Sequence, residues 1–289
     1  MLSSANKKHL RFVISLGTGD FGAGANVITL EGFRASADID NVGGQTMGTA
    51  QCKIYGMALS DMSAITTLQW DLMSKIPNAI EIFAIDGASD TLIFSGNIFN
   101  AWADLQSAPD VFLHIQAQAA WFNQIDNAAP ISFDGDVSVA TVMAQLAKKM
   151  GMAFENNGVD KTLTNCYLAS STLAQVQDVA EHAGIDFVVD KNTLAIMPRG
   201  LPRIGLIPLI SADTGLIGYP TFNGYGVSFQ CLFNPALVFG GAVELDTMQS
   251  RAKGQWVIAN ISLRLQSETP NGAWFSSVLA NQTGLAIGK

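Results

Sequence analysis

The sequence predicts a mainly β protein carrying an α+β insert. Three observations carry that prediction. Apolar and polar residues alternate with period 2 over about the first 125 residues. Between about 130 and 200 the spacing changes to the 3.6 of an amphipathic helix, and beyond Pro198 period 2 returns.

In the first stretch, Cys52, Ile54 and Gly56 alternate with Gln51, Lys53 and Tyr55. Val111, Leu113, Ile115 and Ala117 alternate in the same way with Phe112, His114, Gln116 and Gln118. Runs such as Ile80–Ile85 and Leu92–Phe99 lie between turn signals, notably Asp86-Gly87 and Ser95-Gly96. Short strands so punctuated indicate an antiparallel barrel or sandwich. One exception is Ser60–Trp70, where Met62, Ile65 and Leu68 fall at helical spacing, with Ser60 or Asp61 as the expected cap.

The middle stretch contains a repeat. Val139, Val142, Met143, Leu146 and Met150 form one helix face ended by Gly151. Leu173, Val176, Val179, Ala180 and Ala183 form a second, ended by Gly184, and Ser138 and Ser171 are the matching N-caps. Each helix runs into a strand, Met152-x-Phe154 and Ile185-x-Phe187. Two copies are too few for a solenoid, so they are expected to pack as one small α+β domain. It should close on a hairpin of Asp186–Val189 and Leu194–Met197 around Asp190-Lys191-Asn192. Arg199–Arg203 reads as a linker, after which Val227, Phe229, Cys231 and Phe233 alternate, Ala242–Asp246 is a short strand, and Val257 to Leu265 alternate again. The expected domains are therefore residues 1–128, 129–200 and 201–289.

The composition narrows the function. The 289 residues include 16 Lys and Arg and 24 Asp and Glu, a formal net charge of -8. Only 14% are charged, against about 25% in an ordinary soluble domain, while 48% are hydrophobic. Disorder is excluded, and so is an electrostatic clamp on nucleic acid, which needs clustered Lys and Arg. Apolar runs such as Leu206–Ile210 and Pro235–Val243 are too short and broken for a membrane-spanning helix, which needs about 20 residues. Lys7, Lys8 and Arg11 ahead of Phe12–Leu16 are expected to open a strand, the apolar run being too short for a signal peptide. What remains to explain the apolar excess is surface covered by other chains. Cys52, Cys166 and Cys231 are odd in number and far apart, so no disulfide framework is expected and the chain should fold in a reducing cytoplasm.

Candidate chemistry is sparse. Gly17-Thr18-Gly19-Asp20-Phe21-Gly22 spells the dinucleotide fingerprint, but Ala25–Leu30 behind it is strand-like, so a hairpin loop is expected. His9, His114 and His182 are dispersed, and no nucleophile elbow is present. Asp38-x-Asp40 and Asp134-x-Asp136 sit in turn contexts. Trp70, Trp102, Trp121, Trp256 and Trp274 are scattered through strand-like segments and are expected to pack in core or interface. No catalytic residue, cofactor site or metal site is predicted.

Four stretches, taken in order, resemble the baseplate or tail-tip hub proteins of long-tailed bacteriophages, a fold shared with the base of type VI secretion spikes. They are Ala50–Trp70, Thr172–Pro198, Gly226–Asp246 with its Leu232-Phe233-Asn234-Pro235, and Trp256–Trp274. The resemblance implies two β-barrel-like domains flanking a small LysM-like α+β insert. It further implies a non-enzymatic structural virion protein: a homotrimer that surrounds the DNA channel and adapts a threefold spike to the sixfold tail tube. The implied partners are the tail tube or distal tail protein, the spike and the tape-measure protein, with no specific nucleic-acid binding and no integral membrane segment. Two other readings stand beside it. One is a peptidoglycan- or carbohydrate-binding module built on the insert, the other a tail-associated hydrolase using Asp134, Asp136 or Glu155.

Overall fold

The computed structural model describes residues 8–22, 24–42, 46–67, 76–87, 89–106 and 108–285. The chain divides into two compact units. The first gathers residues up to Ile39, Thr49–Ala119 and Leu263–Phe275; the second gathers Asp40–Gly48, Ala120–Ser262 and the residues from Ser276 on.

The first unit is a twisted antiparallel sheet. Its strands are β1 (Lys8–Ser15), β2 (Val27–Glu31), β3 (Ala35–Val42) and β4 (Thr49–Tyr55), then, after helix α1 (Leu59–Ile65), β5 (Ala79–Asp86), β6 (Ser89–Asp104) and β7 (Phe112–Gln118). They run in the order β3-β4-β7-β6-β5-β1-β2. The predicted alternation holds at Cys52 and Ile54 and at Leu113, Ile115 and Ala117, all buried, and Leu10, Phe12, Ile14, Ala50, Ile80 and Ile82 are buried as well. Met62 and Ile65 of α1 join that core. The helix starts at Ala58 with no side-chain cap, so the expectation of Ser60 or Asp61 is corrected; Leu68 and Trp70 lie outside the described residues. Past the helix, Thr67 exchanges two bonds with Ala101 of β6, N to O at 2.9 Å and N to Oγ1 at 2.7 Å. The glycine fingerprint joins β1 to β2, antiparallel strands with Phe12 opposite Leu30, so it is a hairpin loop as expected.

The second unit opens with α2 (Trp121–Ile125), a short helix in a stretch read as β. There follow β8 (Ile131–Ser132), β9 (Asp136–Ser138), α3 (Val139–Lys149), β10 (Ala153–Asn156), β11 (Thr162–Thr164), β12 (Tyr167–Leu168), α4 (Thr172–Ala183), β13 (Ile185–Asp190) and β14 (Thr193–Pro198). The repeat folds as read. Ser138 accepts a bond from the Thr141 N–H and Ser171 from the Ala174 N–H, while Gly151 and Gly184 take the left-handed conformation at φ 72° and 59°. β10 and β14 are parallel, β13 and β14 antiparallel around Lys191 and Asn192, both at positive φ as a tight hairpin turn requires.

The remaining strands are β15 (Leu209–Ile210), β16 (Leu216–Phe222), β17 (Gly226–Leu232), β18 (Ala242–Leu245), β19 (Gly254–Ser267) and β20 (Trp274–Asn281), the end of β19 and the start of β20 counting with the first unit. Their order is β16-β17-β20-β19, with β18 also on β19 and β15 on β18. Val227, Phe229 and Cys231 are buried as predicted, whereas the strand stops at Leu232, before Phe233. The barrel-like shape expected of the β portions is not there: among the described residues the sheets are open, ending at β2 in the first unit and at β16 in the second. At β16 the reason is local, since Pro220 has no N–H to give a closing strand and a bulge interrupts the ladder.

One close approach fixes the first sheet. A Cβ on Gly96 would lie 2.6 Å from the Gln118 carbonyl oxygen. Gly96→Ala is expected to destabilise the fold by about 1–3 kcal/mol, read as a lower urea midpoint with an unchanged slope; a midpoint equal to wild type would refute the constraint.

Candidate functional site, an uncharged apolar edge

Between Asp213 and Glu244 no residue carries a formal charge. This stretch forms the β16–β17 hairpin, and sequence reading passed over it because strand alternation there explained only the buried side. Along β16 just Pro220 is buried. Ile217 pairs with Gln230 and Thr221 with Ser228, so Gly218, Tyr219 and Pro220 together oppose Phe229. Gly218 takes φ 68°, which its lack of a Cβ permits. Such a bulge re-aims side chains, and here it leaves Tyr219 67% exposed.

The hairpin tip is held rather than loose. The Asn223 carboxamide oxygen accepts the N–H groups of Tyr225 at 2.9 Å and Gly226 at 2.7 Å, and the Asn223 N–H donates to the Gly226 carbonyl at 3.0 Å. Gly226 sits so close to β20 that a Cβ would lie 2.0 Å from the Ala280 carbonyl oxygen. Tyr225, 66% exposed, and Phe222 project from this tip.

A second uncharged surface lies in the same unit. Residues 203–210 run parallel to β18: Arg203 bridges to Gly241, the Glu244 N–H donates to the Pro208 carbonyl at 3.0 Å, and Leu209 and Ile210 register with Glu244 and Leu245. Pro208 and Ile210 turn inward. Ile204 and Leu206 face out at 74% and 77% exposure, with Leu209 beside them.

The start of that strip is fixed by a buried ionic clasp. The Arg203 guanidinium donates to both Glu155 oxygens, Nε to Oε1 at 3.1 Å and Nη2 to Oε2 at 2.7 Å, and through Nη1 to Asp190 Oδ2 at 3.2 Å. Nη1 also reaches the Phe239 carbonyl at 3.3 Å, and the Ile204 N–H donates to Asn157 Oδ1 at 2.7 Å. The bond from Arg203 holds the Glu155 carboxyl below its usual range. Asp190 moves the other way, because burial penalises its charged form.

Most residues singled out for chemistry are otherwise engaged, and Asp40 and Asp134 are exposed. Glu155, read as a hydrolase carboxylate, is ionised against Arg203, the opposite of a general acid. Asp136 accepts a 2.5 Å bond from the Thr164 hydroxyl, and Asp38 pairs with Arg264 at 3.3 Å. His9 meets Glu31 at 2.9 Å, and His114 stacks on Trp102 with centroids 4.1 Å apart. Burial, helped by Lys53, holds the His114 imidazole below its usual value. His182 bonds the carbonyl of Asp178 and lines a cleft of about 330 Å³ with Cys166 and Tyr167. Burial raises all three thiols, Cys231 to about 12, so none is a poised nucleophile. Among the described residues no group of His, Cys, Asp and Glu is arranged to hold a metal, and no helix is long and apolar enough to cross a membrane.

The fold, an open antiparallel sheet with a helix–strand insert, is shared with solved structures of phage-tail and type VI secretion proteins. A tail protein from Neisseria meningitidis MC58 superposes with a TM-score of 0.63 at 8% identity, over 96% of this chain and 98% of that one. The 43 kDa tail protein of prophage MuSo2 from Shewanella oneidensis gives 0.61 at 8% identity, over 98% and 100%. The Escherichia coli c3393 protein, described as a type VI secretion component with structural similarity to the T4 tail proteins gp27 and gp5, gives 0.57 at 8% identity, over 89% and 76%. No curated protein sequence matches. The family model described as baseplate hub gp41 matches residues 24–274. The chain belongs to that family, a structural component of the phage tail.

The clasp yields a prediction with a sign. Glu155 titrates lower in the folded than in the unfolded chain. Its stabilisation is full above the ordinary carboxylate value of about 4.3 and is lost as pH falls through the lower folded value. Asp190 titrates higher when folded, so protonation on the way down adds stability. Glu155→Gln should therefore flatten the acid loss of stability, and Asp190→Asn should steepen it. Arg203→Met, which strands Asp190 as a buried charge, should cost about 3–5 kcal/mol. Urea midpoints taken from neutral pH downward measure all three, and equal pH slopes for Glu155→Gln and Asp190→Asn would contradict the opposed shifts.

Proposed function

We propose that this chain is a structural, non-enzymatic hub that works as a homotrimer. Three copies close a ring around the tail lumen through which DNA passes without specific binding. The ring joins a threefold spike on one side to the sixfold tail tube, or a distal tail protein, on the other, with the tape-measure protein as a further contact. The helix–strand insert takes the place of the LysM-like domain that the resemblance implies, between two β portions that present similar surfaces to six tube subunits.

The observation that supports this most is the apolar, uncharged edge in a chain of net charge -8. Isolated soluble proteins avoid long exposed apolar edge strands, which invite pairing with other chains, and such patches mark interaction sites. Membership of a baseplate hub family supplies the setting in which that edge is covered.

Light scattering on the purified chain and electron microscopy of the particle test the reading together. The expected result is a species of three times 30.7 kDa in solution and three copies per ring at the tail base. A single copy at every attainable concentration, with a ring of another copy number in the particle, would overturn it.

A further inference from the structure

We propose that copies of this chain meet head to tail, the aromatic tip of one copy (Tyr219, Phe222, Tyr225) seated on the aliphatic strip of the next (Ile204, Leu206, Leu209). The proposal rests on the self-assembling reading above and adds which two surfaces touch. Both lie within one unit, both are exposed, and neither carries a charge on its projecting side chains.

Their shapes are unlike. The tip protrudes: a bulge pushes Tyr219 outward, and the Asn223 turn locks the residues behind Phe222 and Tyr225. Tyrosine presents large amphipathic area with little conformational freedom to lose, and a pre-held tip reduces the ordering cost of association. The strip is an extended aliphatic edge, pinned at one end by Arg203 and along its length by β18. A protruding patch and an extended one are not self-complementary, so two copies cannot meet through the same patch about a twofold axis. They fit as a heterologous contact, the kind that closes into rings.

Charge selects the occupant. The chain is acidic, and like charges facing each other across an interface cost several kcal/mol in general. Two copies therefore approach best where neither brings charge, and the stretch between Asp213 and Glu244 is such a place. A basic partner would instead call for acidic side chains on the tip, and Tyr219, Phe222 and Tyr225 supply none.

The test uses the full-length chain with two double variants at exposed positions. One spoils the tip, Tyr219→Asp with Phe222→Asp; the other spoils the strip, Ile204→Asp with Leu206→Asp. Each alone should remain folded by circular dichroism and raise the concentration for half-assembly roughly tenfold or more. Mixed one to one, they retain one intact junction, so the mixture should give a two-copy species and no closed ring. Variants that assemble like wild type, or a mixture that stays single-copy, would overturn the contact while a wild-type trimer leaves the hub reading standing; a wild type that never assembles sinks the hub reading itself. Should a variant fail to fold, a benzophenone photo-cross-linker at Tyr219 in the otherwise unchanged chain decides. Adducts within residues 201–209 of another copy are expected, and adducts elsewhere, or none, refute the contact.

Discussion

A chain in which 14% of residues are charged has few charged groups with which to cover its surface, and this constraint organises the rest. The first unit meets it in the ordinary way. One sheet face takes the apolar residues, and the other carries rings screened by cations, with the Arg34 guanidinium 4.2 Å from the Tyr55 ring centroid and the Lys53 ammonium 5.3 Å from that of Phe112. That unit still leaves Val27, Leu59, Ile76 and Leu105 exposed, and the second unit leaves more. Its hairpin and its extended strip leave tyrosine, phenylalanine, isoleucine and leucine in water. Surface of this kind persists where another molecule removes it from solvent.

Exposed apolar edges are hazardous when mobile, because they pair with anything. This protein stiffens them. Pro220, which has no N–H, and the bulge deny β16 a continuous ladder. The clasp at Arg203 pins one end of the strip. Its cost is a carboxylate in excess, and the opposed shifts of Glu155 and Asp190 show how the site tolerates it: one carboxyl pairs fully with the guanidinium while the other is pressed toward its neutral form. A buried triad of this sort favours a unique arrangement more than raw stability.

Much of this was legible in the sequence. The two-helix repeat was readable down to its caps, because Ser138, Ser171, Gly151 and Gly184 act locally and their geometry depends on near neighbours alone. Alternation located the buried faces of β4, β7, β17 and β19 for the same reason. Failures came where tertiary context decides. The cap of α1 is set by its seat on β6, not by Ser60 or Asp61. The short helix at Trp121 is too brief to show a period. Barrel closure depends on which distant strands pair, and alternation is silent about that. The Arg203 clasp draws on residues 48 and 13 positions away, a juxtaposition no spacing rule reveals. The apolar edge was visible as a run without charge, yet a strand model absorbs such a run as core.

The same charge deficit also explains why the acidic residues sit where they do. Asp38, Asp86, Asp90, Asp110 and Asp246 pair with Arg264, Lys8, Arg11, Arg34 and Lys253 at distances of 3.9 Å or less, mostly with exposed partners. Such pairs add little stability, typically about 0–1 kcal/mol each, and each cancels one negative charge locally. Repulsion between like-charged molecules fades within about 8 Å at physiological salt. At contact only the uncharged surfaces remain, where burial of apolar area dominates. Under the proposed homotrimer, this balance would keep the chain dispersed while dilute and let it assemble where copies are gathered.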